Sequence, residues 1–384
     1  MNILFLSSWY PTTKNPNFGV FIKEHAHAIH LSGNNIVVLA IVASKSNSLW
    51  TKKVTDSFDE NGIRTIIIEL NSRFRDIVYH AIPLQYYFAR KTVRILIKNG
   101  FEPDIIHSNV VFPAGIIGDM LSGWLKIPHI ITEHWSRIKG LLNKPILGKL
   151  AIKSYKNAAR ILPVSNFLKN RMLDLFPSLD SLKFQIVGNV IDSNIFYYKE
   201  KESHTETLRF CAVATWANKK VPDKKPEIFI EALAHFQLEI KQSILLTMIG
   251  GGDKIPQLKD LCLSKGLNVS FVGARTKIEI ANYLQQSNFF VHASTIETFG
   301  VVVAEALLCG TPVICSNVGA LPEMIDDSNG VLCENSIEDW IDGLRKAIVT
   351  KFKNEGIATD LKLKFHTLNI GEEINKVYNE VRKN

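Results

Sequence analysis

The sequence predicts an α/β protein made of two doubly wound, Rossmann-like domains facing across a cleft. Three observations predict it. Short apolar strands alternate with helical patterns from end to end. A polar, irregular stretch from Asn189 to about Glu206 separates two such alternating sets. The chain has 384 residues, enough for two domains of ordinary size.

The first set runs strand, helix, strand. Asn2–Ser7, Asn35–Val42, Ile63–Glu69, Ile105–His107, His129–Thr132, Arg160–Val164 and Phe184–Val187 read as strands. Phe18–Ser32, Tyr79–Asn99, Pro113–Leu125 and Leu147–Asn157 read as the helices between them. Within the irregular stretch, Lys199-Glu-Lys-Glu-Ser-His-Thr-Glu206 is the least foldable piece and the linker candidate. The second set has strands at Leu208–Ala214, Ser243–Gly250, Asn268–Val272, Phe289–Ala293, Pro312–Ser316 and Gly330–Cys333. Its helices are Lys225–Gln237, Lys254–Lys265, Lys277–Gln286, Gly300–Leu308, Ala320–Asp326 and Ser336–Thr350. A last helix near Glu372–Arg382 is expected to return to the first half. The expected domains are therefore 1–192, 193–366 and the returning segment 367–384. Parallel sheets bind ligands in crevices at the carboxyl ends of their strands, so the cleft is where chemistry is expected.

Composition narrows the class. Hydrophobic residues make up 46% and charged residues 21%, which fits a globular protein rather than a disordered one. No apolar run reaches the length of about 18 residues that a spanning helix needs. Met1-Asn-Ile-Leu-Phe-Leu-Ser-Ser-Trp-Tyr-Pro11 lacks a basic start and a small-residue cleavage site, and reads as a first strand. The five cysteines include no Cys-x-x-Cys pair and read as buried thiols in a reducing, cytoplasmic setting. Net charge is +8, concentrated between Arg137 and Arg160, a stretch without a single acid. Interleaved Leu141, Leu142, Ile146, Leu147, Leu150 and Ile152 leave two readings: an amphipathic face on the inner side of an anionic membrane, or an ordinary basic helix. Nucleic acid is not expected as a partner, because no recognition-helix or RNP-type pattern accompanies the charge.

Glu297 and Glu305 carry the chemistry. Glu297 stands in the polar turn after Phe289–Ala293, and Glu305 lies about two turns into the next helix. At about 1.5 Å per residue they are roughly 12 Å apart along the axis. Between them the free N–H groups of the first turn offer an anion seat at the positive end of the helix dipole. Carboxylate, anion seat, carboxylate suits a ligand made of a hydroxyl-rich ring, a diphosphate and a second hydroxyl-rich ring. A nucleotide-activated sugar is such a ligand. Two isolated carboxylates at this spacing match by chance. Glu305, however, is flanked by Val301, Val302, Val303, Ala304, Ala306, Leu307 and Leu308, where a carboxylate needs a partner.

With that block in place the chain resembles the retaining glycosyltransferases of family 4, the "glycosyl transferases group 1" proteins with the GT-B fold. The resemblance rests on the Glu297-x7-Glu305 pattern, Cys309-Gly-Thr-Pro-Val-Ile314, Val318-Gly-Ala-Leu-Pro-Glu323, Met248-Ile-Gly-Gly-Gly-Asp253 and Ser270-Phe-Val-Gly273. It implies that Glu305 binds the donor ribose and Glu297 the hydroxyls of the transferred sugar. Thr298, Phe299, Gly300 and Val301 would hold the distal phosphate and sugar. The Gly250–Gly252 turn, Gly251 at its centre, would let backbone approach the nucleotide, and Gly273 to Arg275 would line the base pocket. The family carries an Arg and a Lys on the diphosphate. Here Lys224 falls on the Lys position, Thr215 or Trp216 occupies the Arg position, and Lys219 or Lys220 is the candidate replacement charge. Gly19 matches the loop after the first strand. His107 and His134 both follow apolar strands at their carboxyl ends; His134 matches the family's active-site histidine, Glu133 and Trp135 flank it, and His107, Glu133 and Trp135 are placed on the acceptor side. Gly188-Asn-Val-Ile-Asp192 stands at the family's hinge without the glycine that follows its Asn.

Other chemistries fit less well. Neither the Ser7–Gly19 loop nor Gly250-Gly-Gly252 carries a full Gly-x-Gly-x-x-Gly fingerprint, so nicotinamide is not expected. No metal or other cofactor is expected: no strand ends in Asp-x-Asp, and His25 and His27 do not share a helix face. No Gly-x-Ser-x-Gly elbow is present. The expected activity is transfer of a hexose from a UDP- or GDP-linked donor to a saccharide or lipid-linked acceptor in polysaccharide or glycolipid synthesis. The alternatives are a sugar-nucleotide epimerase of the same fold and a catalytically silent sugar-nucleotide-binding subunit.

Overall fold

A computed structural model describes residues 1–201, 206–218 and 223–383. The chain divides into two compact units, Met1–Val190 with Thr367–Asn384, and Ile191–His366.

The first unit holds a seven-stranded sheet. Its strands are β1 (Asn2–Ser7), β2 (Asn35–Lys45), β3 (Thr51–Phe58), β4 (Arg64–Ser72), β5 (Ile105–Asn109), β6 (His129–Glu133) and β7 (Arg160–Pro163). The order is β3-β4-β2-β1-β5-β6-β7, parallel except for β3, which pairs antiparallel with β4. Near-continuous apolar runs such as Ile36 to Val42 are what a strand covered on both faces requires. One face packs on the helices Val20–Leu31 and Thr367–Lys383 through Ile22, Ile29, Ile374 and Val377. The other packs on Ile82–Lys98 and Ile116–Leu125 through Val93, Leu96, Ile117 and Leu121. The last helix thus shares a core with the first, although 335 residues separate their nearest ends in sequence order; both lie in the first unit.

The second unit holds an all-parallel sheet of β8 (Thr207–Val213), β9 (Ser243–Ile249), β10 (Val269–Gly273), β11 (Phe289–His292), β12 (Val313–Ser316) and β13 (Gly330–Cys333). Its order is β10-β9-β8-β11-β12-β13, so the direction of winding reverses beside β8 and β11. The helices Pro226–Phe236 and Ile337–Val349 bury Phe229 against Trp340, with ring centroids 6.1 Å apart. All five cysteines are buried and unpaired.

Several expectations change. β3 was not anticipated, because every one of its eight residues is exposed and it shows no apolar face. Phe184–Val187 forms no strand, only a single bridge from Phe184 to Ile161. Ala320–Asp326 is a 3₁₀ turn at Leu321–Glu323 rather than a helix. The region Tyr79–Asn99 breaks at Ala81 into Arg75–His80 and Ile82–Lys98, with Pro83 in the first turn of the second helix. Asn166–Leu175 and Asn354–Phe365 are additional helices. The linker candidate 199–206 falls inside the second unit, where Lys201 Nζ donates to the Ser287 carbonyl at 2.6 Å; residues 202–205 lie outside the described residues.

The basic stretch also reads differently. The helix Pro145–Asn157 buries Gly148, Ala151, Ser154 and Tyr155 and turns Lys149, Lys153 and Lys156 outward. Of the six interleaved apolar residues only Ile146 is fully exposed; Leu141 is buried and the rest are half-buried. The apolar side of this segment therefore serves mainly its own unit. No helix among the described residues is long and apolar enough to cross a membrane.

Candidate functional site

In the second unit, β11 ends at His292 and the chain turns through Ala293–Phe299 into the helix Val301–Leu308. The turn is pinned from three sides. Lys225 N donates to Ala293 O at 3.0 Å and Thr295 N to Asp223 O at 2.8 Å, which lays Asp223–Lys225 along the strand end. Lys224 forms an isolated antiparallel bridge with Ser294. Behind it, Ser294 N donates to Ser316 Oγ (3.0 Å), Ser316 Oγ to Asn335 Oδ1 (2.6 Å), and Asn335 Nδ2 back to Ser294 O (2.9 Å). On the remaining side Ala320 N donates to Glu297 O at 3.0 Å. Gly319, with φ of 61°, lies so close to the Glu297 backbone that a Cβ there would stand 2.8 Å from its nitrogen.

This bracing gathers three ionisable groups. Lys224 Nζ is in contact with Glu297 Oε1, and His292 Nε2 lies 2.7 Å from the same oxygen. His292 Nε2 and Lys224 Nζ are 3.1 Å apart. Two donors converging on one carboxylate oxygen account for all three distances: the neutral imidazole donates its Nε2–H to Glu297, as does the ammonium, and their own proximity follows. Burial, then the Lys224 charge, hold His292 below the ordinary histidine range, which keeps it neutral. Burial would raise the Glu297 carboxyl, but the Lys224 charge and the His292 hydrogen bond outweigh it, so Glu297 sits well below the ordinary carboxylate range. The group is a fixed negative charge, not a proton carrier.

The adjoining helix begins at Gly300, whose φ of 88° is left-handed, and no side chain among the described residues caps its first turn. Its outward N–H groups are left for solvent or a ligand. Val301 is half-buried at the first helical position, Thr298 is half-buried, and Phe299 packs its ring against Phe365 at 5.1 Å. Glu305 is 8% exposed, far less than a routine helix carboxylate.

The glycine turn and the candidate for the missing Arg position both read differently. Gly250 and Gly252 have φ of 120° and 150°, and a Cβ on either would strike the carbonyl of Ala214 or Trp216. Their close approach is to the chain's own β8 loop; only Gly251 faces open space. Trp216, a candidate for the missing Arg position, is 3% exposed and donates Nε1–H to Ile249 O, so it is core. Lys219 and Lys220 lie outside the described residues. Instead Lys254, which sequence reasoning did not single out, lines a small cavity together with Thr215, Asp223 and Lys224, and pairs with Glu227. Gly273 ends β10 with φ of 74°, and Arg275 next to it pairs with Glu279 at 3.7 Å.

In the first unit, the strand ends carry a buried polar cluster. His134 is 7% exposed, with Nε2 3.3 Å from Asn109 Oδ1 and its ring 5.3 Å from that of His25. His134 Nδ1 and Asn109 Nδ2 have no protein partner. Burial lowers His134 well below the usual histidine value and His25 to about 4. Trp135 is half-buried and meets Trp9 edge-on at 6.1 Å. His107 and Glu133 are corrections. His107 is wholly buried, bonded to Tyr378 OH (2.5 Å) and Thr132 Oγ1 (2.6 Å), with no nitrogen left for an acceptor. Glu133 accepts from Val111 N, His134 N, Trp135 N and Tyr155 OH at 2.6–3.0 Å. Burial pushes its carboxyl up and these donors pull it back; every partner being a donor, it braces the loop that carries His134. Gly19, with φ of 75°, is required because Trp9 and Tyr10 backbone occupies the place of a Cβ.

His292 carried a readable signal: it ends an apolar strand, the same placement that singled out His134. The brace of Ser316, Gly319 and Asn335 carried none, since it exists only once separate strand ends meet.

Two parallel-sheet units of this topology, and their likeness to solved structures, define a GT-B fold. Anabaena HepE in complex with UDP superposes with a TM-score of 0.73, covering 99% of this chain and 100% of that one at 17% identity. The family model described as glycosyl transferases group 1 matches residues 213–357, and that of glycosyltransferase family 4 matches residues 20–194. The chain thus carries a glycosyltransferase family 4 domain followed by a glycosyl transferases group 1 domain. Among curated relatives, an uncharacterized glycosyltransferase of Methanocaldococcus jannaschii is 29% identical over 315 residues, 80% of each chain. The putative teichuronic acid biosynthesis glycosyltransferase TuaC of Bacillus subtilis is 24% identical over 84% of this chain and 83% of its own.

Proposed function

We propose that this glycosyltransferase moves a hexose, with retention and without a metal ion, from a UDP- or GDP-linked donor to a hydroxyl of a saccharide or lipid-linked acceptor. The setting proposed is cell-surface polysaccharide or glycolipid synthesis on the cytoplasmic side of a membrane. The observation that carries this reading is the convergence of Lys224 and His292 on Glu297 at the mouth of an uncapped helix.

Glu297 is a permanently ionised acceptor, suited to sugar hydroxyls. Glu305, low in the same helix, is suited to ribose hydroxyls. Between them the uncapped N–H groups and Lys224 offer positive charge to a diphosphate. Lys254, on the same cavity as Lys224, is the second cation in place of the family's arginine. A leaving nucleoside diphosphate needs these donors more than it needs an enzymic nucleophile. In the retaining step the anomeric carbon–oxygen bond to phosphate breaks while the acceptor oxygen bonds on the same face, and the departing phosphate oxygen takes the acceptor proton. His134, neutral and with Nδ1 unspent, is proposed to contact the transferred sugar. HepE's complex with UDP supports uridine as the first nucleotide to test.

The test is a thermal-shift and donor-hydrolysis panel of UDP- and GDP-sugars. One nucleotide sugar should stabilise the chain and be slowly hydrolysed, with the sugar configuration unchanged. Glu297→Gln and Glu305→Gln should each lose hydrolysis by roughly 10²-fold or more. Full activity in both variants refutes the reading, as does release of an epimerised sugar.

A further inference from the structure

We propose that a second copy of this chain docks on the free edge of β3, extending the first unit's sheet across a two-fold axis. β3 is the outermost strand, and all eight of its residues are exposed. Asp59 N donates to Ile63 O, and the β3–β4 register runs from Thr51 opposite Asn71 to Phe58 opposite Arg64. In an antiparallel ladder the residues that bond to one neighbour alternate with those that face away. The odd-numbered residues therefore bond to β4, and Lys52, Val54, Asp56 and Phe58 turn their N–H and C=O groups toward the open edge.

Such an edge is a template for another strand, and lysines ordinarily guard against it. Here the guard fails against one sequence, its own. Placing Val54 opposite Val54 of the second copy sets Lys52 against Asp56 of that copy, twice over. The same register brings Phe58, 71% exposed, beside the residue that precedes β3 of the second copy, Trp50, which is 46% exposed and stacks on Phe88 of its own chain. On the other face Lys53 meets Thr55. No like charges are opposed. Sliding by two residues in either direction puts Lys52 against Val54 or Phe58 and leaves Asp56 without a cation across the seam. Asp56 already accepts from Arg64, yet its side chain remains 45% exposed, which leaves an approach for the lysine of the second copy. An unrelated extended peptide would lack both the charge pairing and the aromatic pairing, and this favours self-association.

The test is sedimentation velocity of the full chain over a concentration series. The native chain should reach twice the 43.2 kDa of one copy. Lys52→Asp opposes two like-charged pairs and should weaken dimerisation by roughly tenfold or more. Lys52→Asp with Asp56→Lys should restore it. Circular dichroism and melting of each variant establish that the fold is kept; Val54→Pro, which removes an outward N–H and leaves the β4 ladder intact, should also give a monomer. A native chain that stays monomeric at its solubility limit overturns the proposal. So does a dimer indifferent to Lys52→Asp, or a folded double variant that stays monomeric.

Discussion

Replacing Lys224 by Met separates the electrostatics of the donor site from its packing. Met keeps the unbranched stem and removes the charge. Glu297 then keeps His292 as its donor and loses its cation. At about 3 Å and an effective dielectric of about 40, the pair is worth roughly 3 kcal/mol. Side-chain exposures of 29% for Lys224 and 14% for Glu297 admit some solvent, so the net loss of stability should be about 2 kcal/mol at pH 7. The sign with pH follows from the depressed Glu297 carboxyl. In the native chain its stabilisation is fully present above the unfolded value of about 4.3 and is lost as pH falls through the folded value. In Lys224→Met, burial is opposed by His292 alone, so the carboxyl rises above its native position and the ionised Glu297 costs more at pH 7 than at acid pH. Removing the lysine also releases one of the forces holding His292 neutral. The gap between the two proteins should therefore be widest near pH 7 and narrow toward pH 4. Urea midpoints at both values measure it. A gap of equal size at pH 7 and pH 4 refutes the electrostatic account. Donor turnover should fall roughly 10²- to 10³-fold; unchanged turnover in the folded variant would leave Lys224 a brace only.

Gly319→Ala should cost about 2–4 kcal/mol and weaken nucleotide binding, because its Cβ drives into the Glu297 backbone; Gly62→Ala, with φ of 75° and open space around it, should cost only the left-handed strain of about 1 kcal/mol. Melting, and titration with the nucleotide that the donor panel selects, check both. Lys254→Met should raise the KM for donor and weaken product inhibition by the nucleoside diphosphate about tenfold, and inhibition constants unchanged from native would remove Lys254 from the diphosphate site. Glu133→Gln should lower stability by about 2 kcal/mol, since either orientation of the amide turns its NH₂ toward a backbone N–H, His134 N and Trp135 N in one or Val111 N in the other, where only the Tyr155 hydroxyl can turn to accept; an unchanged melting temperature would mean those four bonds carry no net weight.

How much was legible in the sequence divides along a physical line. Parallel strands buried on both faces announce themselves as apolar runs, and β1, β2 and β11 through β13 were readable for that reason. β3 shares neither face with a core, so Thr51-Lys-Lys-Val-Thr-Asp-Ser-Phe58 carries no pattern, and its strand exists because β4 offers it a ladder. The same line runs through the site. Glu297 and Glu305 are local to one strand–turn–helix, so their spacing and the apolar neighbours of Glu305 brought them to notice. Lys224 and His292 both stood in plain view, one by resemblance and one at a strand end, but their convergence on one carboxylate oxygen is a tertiary fact. It needs Asp223–Lys225 laid beside Ser294 and Thr295, and nothing in either segment specifies the other. His107 and Glu133 fail for the converse reason. His107 lies in the middle of β5 rather than at its end, Glu133 ends β6, and neither position says which way a side chain turns. The phenol of Tyr378, from the far end of the chain, and that of Tyr155 had already claimed them. A polar residue at a strand's carboxyl end is therefore a site candidate only until its hydrogen bonds are counted. His134, with Nδ1 unspent, passes that count, and His107 does not.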